Sequence, residues 1–190
     1  EKKIDYIPGA ADLGDFDPTS TTIALSPVAE QASLPAAALG RTFERYWEDI
    51  IARRAPGAVW DAYTPYELRS VGALLRLFGR ERALELLAMF LDDREPREWN
   101  QWPEVVWQDR RAPKFIGDSP HTWVGSDFLR SAADLFAYEQ EADSTLVVAS
   151  GIDAAWLAAP GVAVKQLSTW WGPLSYTIRR ERSRVLAQVE

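Results

Sequence analysis

The sequence contains no cysteine and only one histidine, His121. Without cysteine the chain cannot form disulfides, use a thiolate nucleophile or bind zinc through sulfur. With one histidine it cannot build a metal site from two histidines of its own. A serine–histidine–aspartate triad would have to use His121, and no G-x-S-x-G motif supplies the serine. These absences exclude several common enzyme classes.

Long hydrophobic runs and excess positive charge are also missing. No apolar stretch approaches the roughly 20 residues that a membrane-spanning helix needs. The net charge is −7, which disfavours nucleic acid because the two partners would repel each other. We therefore expect neither a membrane span nor a nucleic-acid partner. The 190 residues are enough for one core, or one domain with a smaller addition.

Tryptophan, in contrast, is abundant, with nine residues against one methionine. Three of them lie in E-W-N-Q-W-P-E-V-V-W, residues 98–107, around Glu104. Aromatic rings stack on the apolar faces of sugars, and amides and carboxylates hydrogen-bond the hydroxyl groups. Trp99, Asn100 and Trp102 are therefore candidate sugar contacts. The alternative is a loop whose tryptophans fill a gap between helices.

A second candidate segment is S-P-H-T-W-V-G-S-D-F-L, residues 119–129. His121 and Trp123 lie at the start of a predicted helix, where free N–H groups and the helix dipole favour an anionic or hydroxyl-rich ligand. Asp127 follows Trp123 by one helical turn. The alternative is a capped helix start with a hydrogen-bonded histidine.

Cleavage of a glycosidic bond usually requires two carboxyl groups, one to protonate the leaving oxygen and one to act as base or nucleophile. Glu104 is the best candidate for one of them, because the tryptophans beside it would exclude water. The spacing does not fix the second carboxylate. Asp127 is the candidate that we adopt, while Asp15 and Asp17 remain open.

Hydrophobic periodicity predicts helices followed by strands. Apolar residues at helical spacing predict helices over 35–54, 80–93 and 123–139, and another that begins at Thr64, where T-P-Y-E resembles a capping box. Alternating residues predict strands over 145–149, 162–167, 174–178 and 184–189, with a further strand at Thr21–Leu25. We therefore expect a mainly α region over residues 1–140 and a small antiparallel β segment over 141–190. The sequence looks like a fragment of a larger protein, since it begins without methionine.

Four stretches carry a resemblance: I-P-G-A-A-D-L-G-D-F-D-P-T-S-T-T-I-A-L from residue 7, W-N-Q-W-P-E-V-V from 99, F-I-G-D-S-P-H-T-W-V-G-S-D-F-L-R-S from 115 and the tail from 161 to 180. They are similar to the C-terminal part of bacterial glycoside-hydrolase-like proteins of the six-hairpin, (α/α)6-toroid type, which sometimes carry discoidin-like modules. The family usually has M-P-H where this chain has S-P-H at 119–121. The resemblance implies helical hairpins around a glycan-binding cleft, and it transfers no catalytic residue by position.

Together these observations predict a carbohydrate-active protein that hydrolyses glycosides, with Glu104 and Asp127 as catalytic carboxylates and no metal or other cofactor. Its expected partners are an oligo- or polysaccharide substrate and the remaining part of the parent polypeptide. One alternative is a polysaccharide lyase that uses His121 with Tyr63 or Tyr66. Another is a non-catalytic helical module that binds glycan or has a structural role. The sequence leaves the cellular location open, with a secreted or periplasmic one among the options.

Overall fold

A computed structural model of the chain describes residues 3–111 and 113–190. Within them lie five α-helices, five short 3₁₀ segments and three antiparallel sheets; helix of both kinds accounts for 44% and strand for 19%. The helices are α1 (Pro18–Leu25), α2 (Ala36–Arg54), α3 (Ser70–Phe78), α4 (Arg80–Asp92) and α5 (Thr122–Phe136). The strands are β1 (Ala62–Tyr63), β2 (Val106–Trp107), β3 (Ala137–Gln140), β4 (Thr145–Val148), β5 (Val162–Thr169), β6 (Gly172–Glu181) and β7 (Arg184–Val189).

The expected architecture, a mainly α set of toroid hairpins, is therefore wrong, because the chain mixes α and β structure. Among the described helices, α3 and α4 form one helical hairpin, and they meet at Gly79, which has a φ of 92°. The other described helices are separated by irregular segments or by strands. Sheet structure also enters the helical part, where β1 and β2 pair antiparallel and place Tyr63 opposite Val106.

The predicted helix over 123–139 is too long at its C-terminal end. Helix α5 ends at Phe136, and β3 continues the chain by pairing antiparallel with β4, with Ala137 opposite Val148 and Gln140 opposite Thr145. The β-branched residues of T-L-V-V favour a strand. Their long-range pairing outweighs the helical periodicity that extends to residue 139.

The strand predicted at Thr21–Leu25 is instead the second half of α1. The Asp17 carboxylate accepts a hydrogen bond from the Ser20 backbone N–H, and Pro18 occupies the first helical turn. Both features are strong signals for a helix start. They outweigh the β-branched run Thr21, Thr22 and Ile23, which alone favours a strand.

Helix α3 lies at the centre of the helical part. Its residues from Ser70 to Leu75 are all buried, and it packs against α1, α2, α4 and α5. A buried ion pair ties this helix to α5: Arg76 Nη1 lies 2.7 Å from Asp134 Oδ2, which also accepts a hydrogen bond from Ser26. The central helix thereby fixes α5, which carries one side of the candidate site.

The C-terminal residues form a second apolar cluster beneath the three-stranded sheet β5–β6–β7. Leu174 and Tyr176 of β6 are buried there, together with Ile152 and Leu157. A bulge between Val164 and Leu167 shifts the register of β5. None of the described helices is long and apolar enough to cross a membrane.

Candidate active site

Two loop segments pair and bring Glu104 to the start of α5. The Glu104 N–H donates to the Asp118 carbonyl at 3.1 Å, and the Val105 N–H donates to the Ile116 carbonyl at 3.0 Å. The His121 N–H donates to the Trp102 carbonyl at 3.1 Å. This ladder unites the two segments in which the sequence predicted a site.

Gly117 makes this close pairing sterically feasible. Its φ is 69°, in the left-handed region that glycine adopts readily. A Cβ at this position would overlap the side chain of Glu104. The backbone of one segment therefore lies directly against the candidate acid or base of the other.

Tyr66 joins the site through His121. A short 3₁₀ segment, Pro65–Arg69, directs the Tyr66 hydroxyl to His121 Nε2, and the two atoms lie 2.7 Å apart. In the neutral histidine, a tyrosine that donates to Nε2 leaves the proton on Nδ1. That nitrogen lies 3.9 Å from the Asp118 carboxylate. Tyr66, His121 and Asp118 thus form a chain of polar groups beside Glu104.

Trp123 supplies an exposed aromatic surface next to this chain. Its side chain is 58% exposed, and its ring centroid lies 5.4 Å from that of Tyr66. An aromatic face that solvent reaches, beside hydroxyl, imidazole and carboxylate groups, has the composition of a sugar-binding surface.

Asp127 lies on the same side of α5, in an ion pair. Its Oδ2 accepts hydrogen bonds from Arg69 Nη2 at 2.7 Å and from Arg69 Nε at 3.3 Å. Burial raises the pKa of Asp127, and the hydrogen bonds and charge of Arg69 only partly oppose this rise. The same arginine lies over the Tyr66 ring, with its Cζ 5.6 Å from the centroid.

The electrostatic field around Tyr66 is negative. Partial burial is the largest cause that raises the pKa of the Tyr66 hydroxyl, and the charges of Glu104, Asp127 and Asp118 raise it further against the effect of Arg69. Tyr66 therefore holds its proton and is a hydrogen-bond donor at neutral pH.

Glu104 differs from Asp127 because no cation pairs with it among the described residues, and from the exposed Asp118 because it is half-buried. The side chain is half-buried, and it forms no hydrogen bond or ion pair with residues 3–111 or 113–190. Burial of a carboxylate without a partner is unfavourable. A ligand with a hydrogen-bond donor would supply such a partner.

The other three predicted sugar contacts do not converge on this site. Trp102 is only 1% exposed, donates its indole N–H to the Phe90 carbonyl at 2.8 Å and packs against Phe128. It fills the core, where a ligand cannot reach it. For Trp102 the alternative prediction, a tryptophan that fills a gap between helices, is therefore the better description. Trp99 is 57% exposed, and the neighbouring Asn100 accepts a hydrogen bond from Arg94.

The remaining candidates for the second carboxylate have local roles. Asp17 caps α1, and Asp15 Oδ1 accepts a hydrogen bond from the Ala10 N–H at 2.8 Å.

Glu67, which the sequence assigned to a capping box, instead accepts hydrogen bonds from Tyr46 and Arg53. Tyr63 also lies away from His121, since it is buried and donates to Asp93 at 2.5 Å.

Two partners in the site, Arg69 and Asp118, were not predicted. Arg69 follows Tyr66 by one turn in Y-E-L-R, but nothing local indicates that it pairs with a residue on α5.

Across the described part of the chain, no three histidine, aspartate or glutamate side chains are grouped to hold a metal ion. No family model, curated protein or solved structure matches this chain.

Proposed function

We propose that this protein acts on carbohydrate, by glycoside hydrolysis at Glu104. The observation that supports the proposal is the unpaired Glu104 carboxylate, half-buried beside the Tyr66–His121 hydrogen bond. Hydrolysis adds water across the glycosidic bond: one group protonates the leaving oxygen, and a carboxylate accepts a proton from water or attacks the sugar. Glu104 is the proposed acid or base, and Asp127 is the proposed second carboxylate.

The sign of the electrostatic field favours hydrolysis over elimination. Glycoside hydrolysis passes through a transition state like an oxocarbenium ion, which carries positive charge. Asp127 is paired with Arg69, but no described group pairs with Glu104, so the Glu104 charge stabilises positive charge that develops beside it. A β-elimination removes a proton next to a uronate carboxylate and develops negative charge, which the same field opposes.

Trp123, Tyr66 and His121 would bind the sugar in this proposal. The exposed indole stacks on an apolar sugar face, and the tyrosine and histidine hydrogen-bond hydroxyl groups. Trp99 and Asn100 remain candidate contacts for more distant sugar units. Trp102 has no role in the proposed site because its indole is buried.

A polysaccharide lyase is the second candidate, favoured by the 2.7 Å hydrogen bond between Tyr66 and His121. A lyase needs a base and an acid at the same sugar ring, and this pair could supply both. Tyr66→Phe separates the two reactions, because it would abolish elimination but would remove only one sugar contact from a hydrolase. A lyase product is also unsaturated and absorbs in the ultraviolet, whereas a hydrolysis product does not.

The direct test compares Glu104→Gln with Glu98→Gln on a panel of neutral and acidic glycans. Glu98 lies in the same segment, is exposed and has no partner among the described side chains, so its replacement is a matched control. We expect Glu104→Gln to lower turnover at least about 100-fold while glycan binding persists. Glu98→Gln should change neither quantity.

Unchanged turnover in Glu104→Gln would refute the role of this residue. If the wild-type protein binds glycans but releases neither reducing ends nor unsaturated products across the panel, it is a non-catalytic binding module. Loss of turnover in Tyr66→Phe, with an ultraviolet-absorbing product from the wild type, would favour the lyase.

A further inference from the structure

A cleft of about 740 Å³ lies between helix α5 and strand β5, apart from Glu104. This volume falls within the range of small-molecule and oligosaccharide sites. Four charged side chains line it: Arg130 and Asp134 from α5, Glu139 from β3 and Lys165 from β5. Its ligand preference depends on which of these charges are already neutralised.

Both carboxylates of the cleft already have partners. Asp134 is paired with Arg76 and accepts a further hydrogen bond from Ser26. The Glu139 carboxylate accepts the Trp170 backbone N–H at 2.9 Å. Arg76 neutralises the charge of Asp134, whereas the hydrogen bond from Trp170 satisfies Glu139 without removing its charge.

Both cations of the cleft, in contrast, lack a partner. Arg130 and Lys165 are exposed and form no hydrogen bond or ion pair anywhere in the described structure. The charge of Arg130 acts on Asp127, but that carboxylate is already bound by Arg69. Arg130 and Lys165 face one carboxylate without a cationic partner, Glu139, so the charges of the cleft leave a positive balance of one, although the protein has a net charge of −7.

Trp170 gives the cleft an aromatic surface. Its ring is 53% exposed and packs beside Trp171 at the tip of the β5–β6 hairpin, while Glu139 holds its backbone. The bulge in β5 places both Lys165 and Gln166 on the exposed side, next to each other. An aromatic plane and two cations that line the same cleft suit a sugar that carries an acidic group.

The α5–β5 cleft also shares a helix with the Glu104 site. Trp123, Ser126 and Arg130 follow one another at intervals of three and four residues, so they lie along one face of α5. The seven residue-to-residue steps from Trp123 to Arg130 rise about 10 Å along the helix. An oligosaccharide of a few units covers this distance.

We propose that the α5–β5 cleft is a subsite for an anionic sugar unit, bearing a carboxylate or a sulfate, a short distance along the chain from the unit at Glu104. Arg130 and Lys165 bind the anionic group, and the Trp170 ring stacks on the sugar. The inference rests on the proposed function for the nature of the ligand, and it names the substrate class as an acidic glycan. The roughly 10 Å of helix between Trp123 and Arg130 is close to the distance over which salt screens exposed charges.

Binding measurements test the subsite without relying on turnover. We would titrate hexagalacturonate, a sulfated carrageenan oligosaccharide, cellohexaose and inorganic sulfate into the full chain carrying Glu104→Gln, by calorimetry. We expect the acidic glycans to bind more tightly than cellohexaose, and their affinity to fall as salt is added. Binding of both acidic probes supports the anionic class, and preference for one identifies the group.

Arg130→Gln combined with Lys165→Gln should weaken the acidic glycans about fivefold to tenfold and leave cellohexaose unchanged. Arg180→Gln combined with Arg184→Gln is the matched control, because it removes the same charge from exposed positions outside the cleft. Trp170→Ala should lower the affinity for acidic glycans and leave the affinity for inorganic sulfate unchanged.

Three results would overturn the subsite: an affinity for cellohexaose equal to that for both acidic glycans, equal losses in the cleft and control variants, or no effect of Trp170→Ala. Failure of the proposed function is a separate result. It would appear as turnover that persists in Glu104→Gln, whatever the binding data show.

Discussion

Carboxylates packed between the helices differ from the carboxylate of Glu104 in the candidate site, because only the former are paired with cations. Among the former, Asp134 is neutralised by Arg76, and Asp93 accepts hydrogen bonds from Arg54, Tyr63 and Arg110. In the site, Glu104 is held only through its backbone, and its carboxylate has no partner in the described structure. A buried charge stabilises a fold only when its partners are present. The paired carboxylates therefore contribute to stability, whereas the Glu104 carboxylate has no described partner, as the proposed function requires.

The sharpest test of this difference applies the same chemical change to both regions. Asp134→Asn should lower the free energy of unfolding by about 3 kcal/mol, because it leaves the Arg76 charge buried and unpaired. Glu104→Gln should change it by less than about 0.5 kcal/mol, since no ion pair is lost. Chemical denaturation of both variants measures the two values. Equal losses would show that Glu104 has a structural partner.

A smaller effect is expected when the backbone that lies against Glu104 is altered. Gly117→Ala should cost about 1–2 kcal/mol for the left-handed backbone and should also displace the Glu104 side chain. Gly57→Ala is the control, because Gly57 also has a positive φ but no neighbour within 4 Å of an added Cβ. Thermal unfolding should then show a larger loss for Gly117→Ala, and turnover should fall in that variant alone. Identical losses with unchanged turnover would contradict the contact.

The smallest effect concerns a partnered carboxylate on the surface, Asp17. Burial raises its pKa, but hydrogen bonds from Ser20 and Thr19 outweigh burial and bring the pKa below its ordinary value of 3.8. A lowered native pKa means that the charged form stabilises the fold above the ordinary pKa, and that this contribution is lost as the pH falls through the native value. Asp17→Ala should therefore cost about 1 kcal/mol at neutral pH, the usual value of a helix cap.

The pH dependence of that loss is the informative measurement. The difference between Asp17→Ala and the wild type should shrink as the pH falls below 3.8. Asp12→Ala provides the comparison, because Asp12 is exposed and has no hydrogen-bond partner in the described structure. A loss for Asp17→Ala that stays constant with pH would contradict a role for the charge.

Local patterns in the sequence predicted most of the helices and the C-terminal strands. The apolar spacing in 35–54 and 80–93 corresponds closely to α2 and α4, and 184–189 corresponds to β7. Thr21–Leu25 was assigned wrongly because its β-branched residues were weighed without the cap at Asp17. Pairing across the chain, such as β1 with β2, has no local signal and could not be predicted.

The candidate site was only partly accessible from the sequence for the same reason. The sequence does not distinguish Trp99 from Trp102, because both lie in the same proline-rich loop. The packing of α4 and α5 buries Trp102 and leaves Trp99 exposed. Tyr66 and His121 are 55 positions apart, and their hydrogen bond depends on where α3 holds α5. The mixed architecture, and therefore the error in the toroid prediction, likewise arises from long-range contacts.

The buried indole of Trp102 also has a consequence for motion. Its N–H donates to the Phe90 carbonyl and anchors the loop two residues before Glu104, so the backbone there cannot detach without opening the core between α4 and α5. Exchange of this indole proton with solvent requires the same opening. The exchange rate of the Trp102 indole proton therefore reports how often the loop detaches. A ligand that bridges Glu104 and α5 should lower this exchange rate.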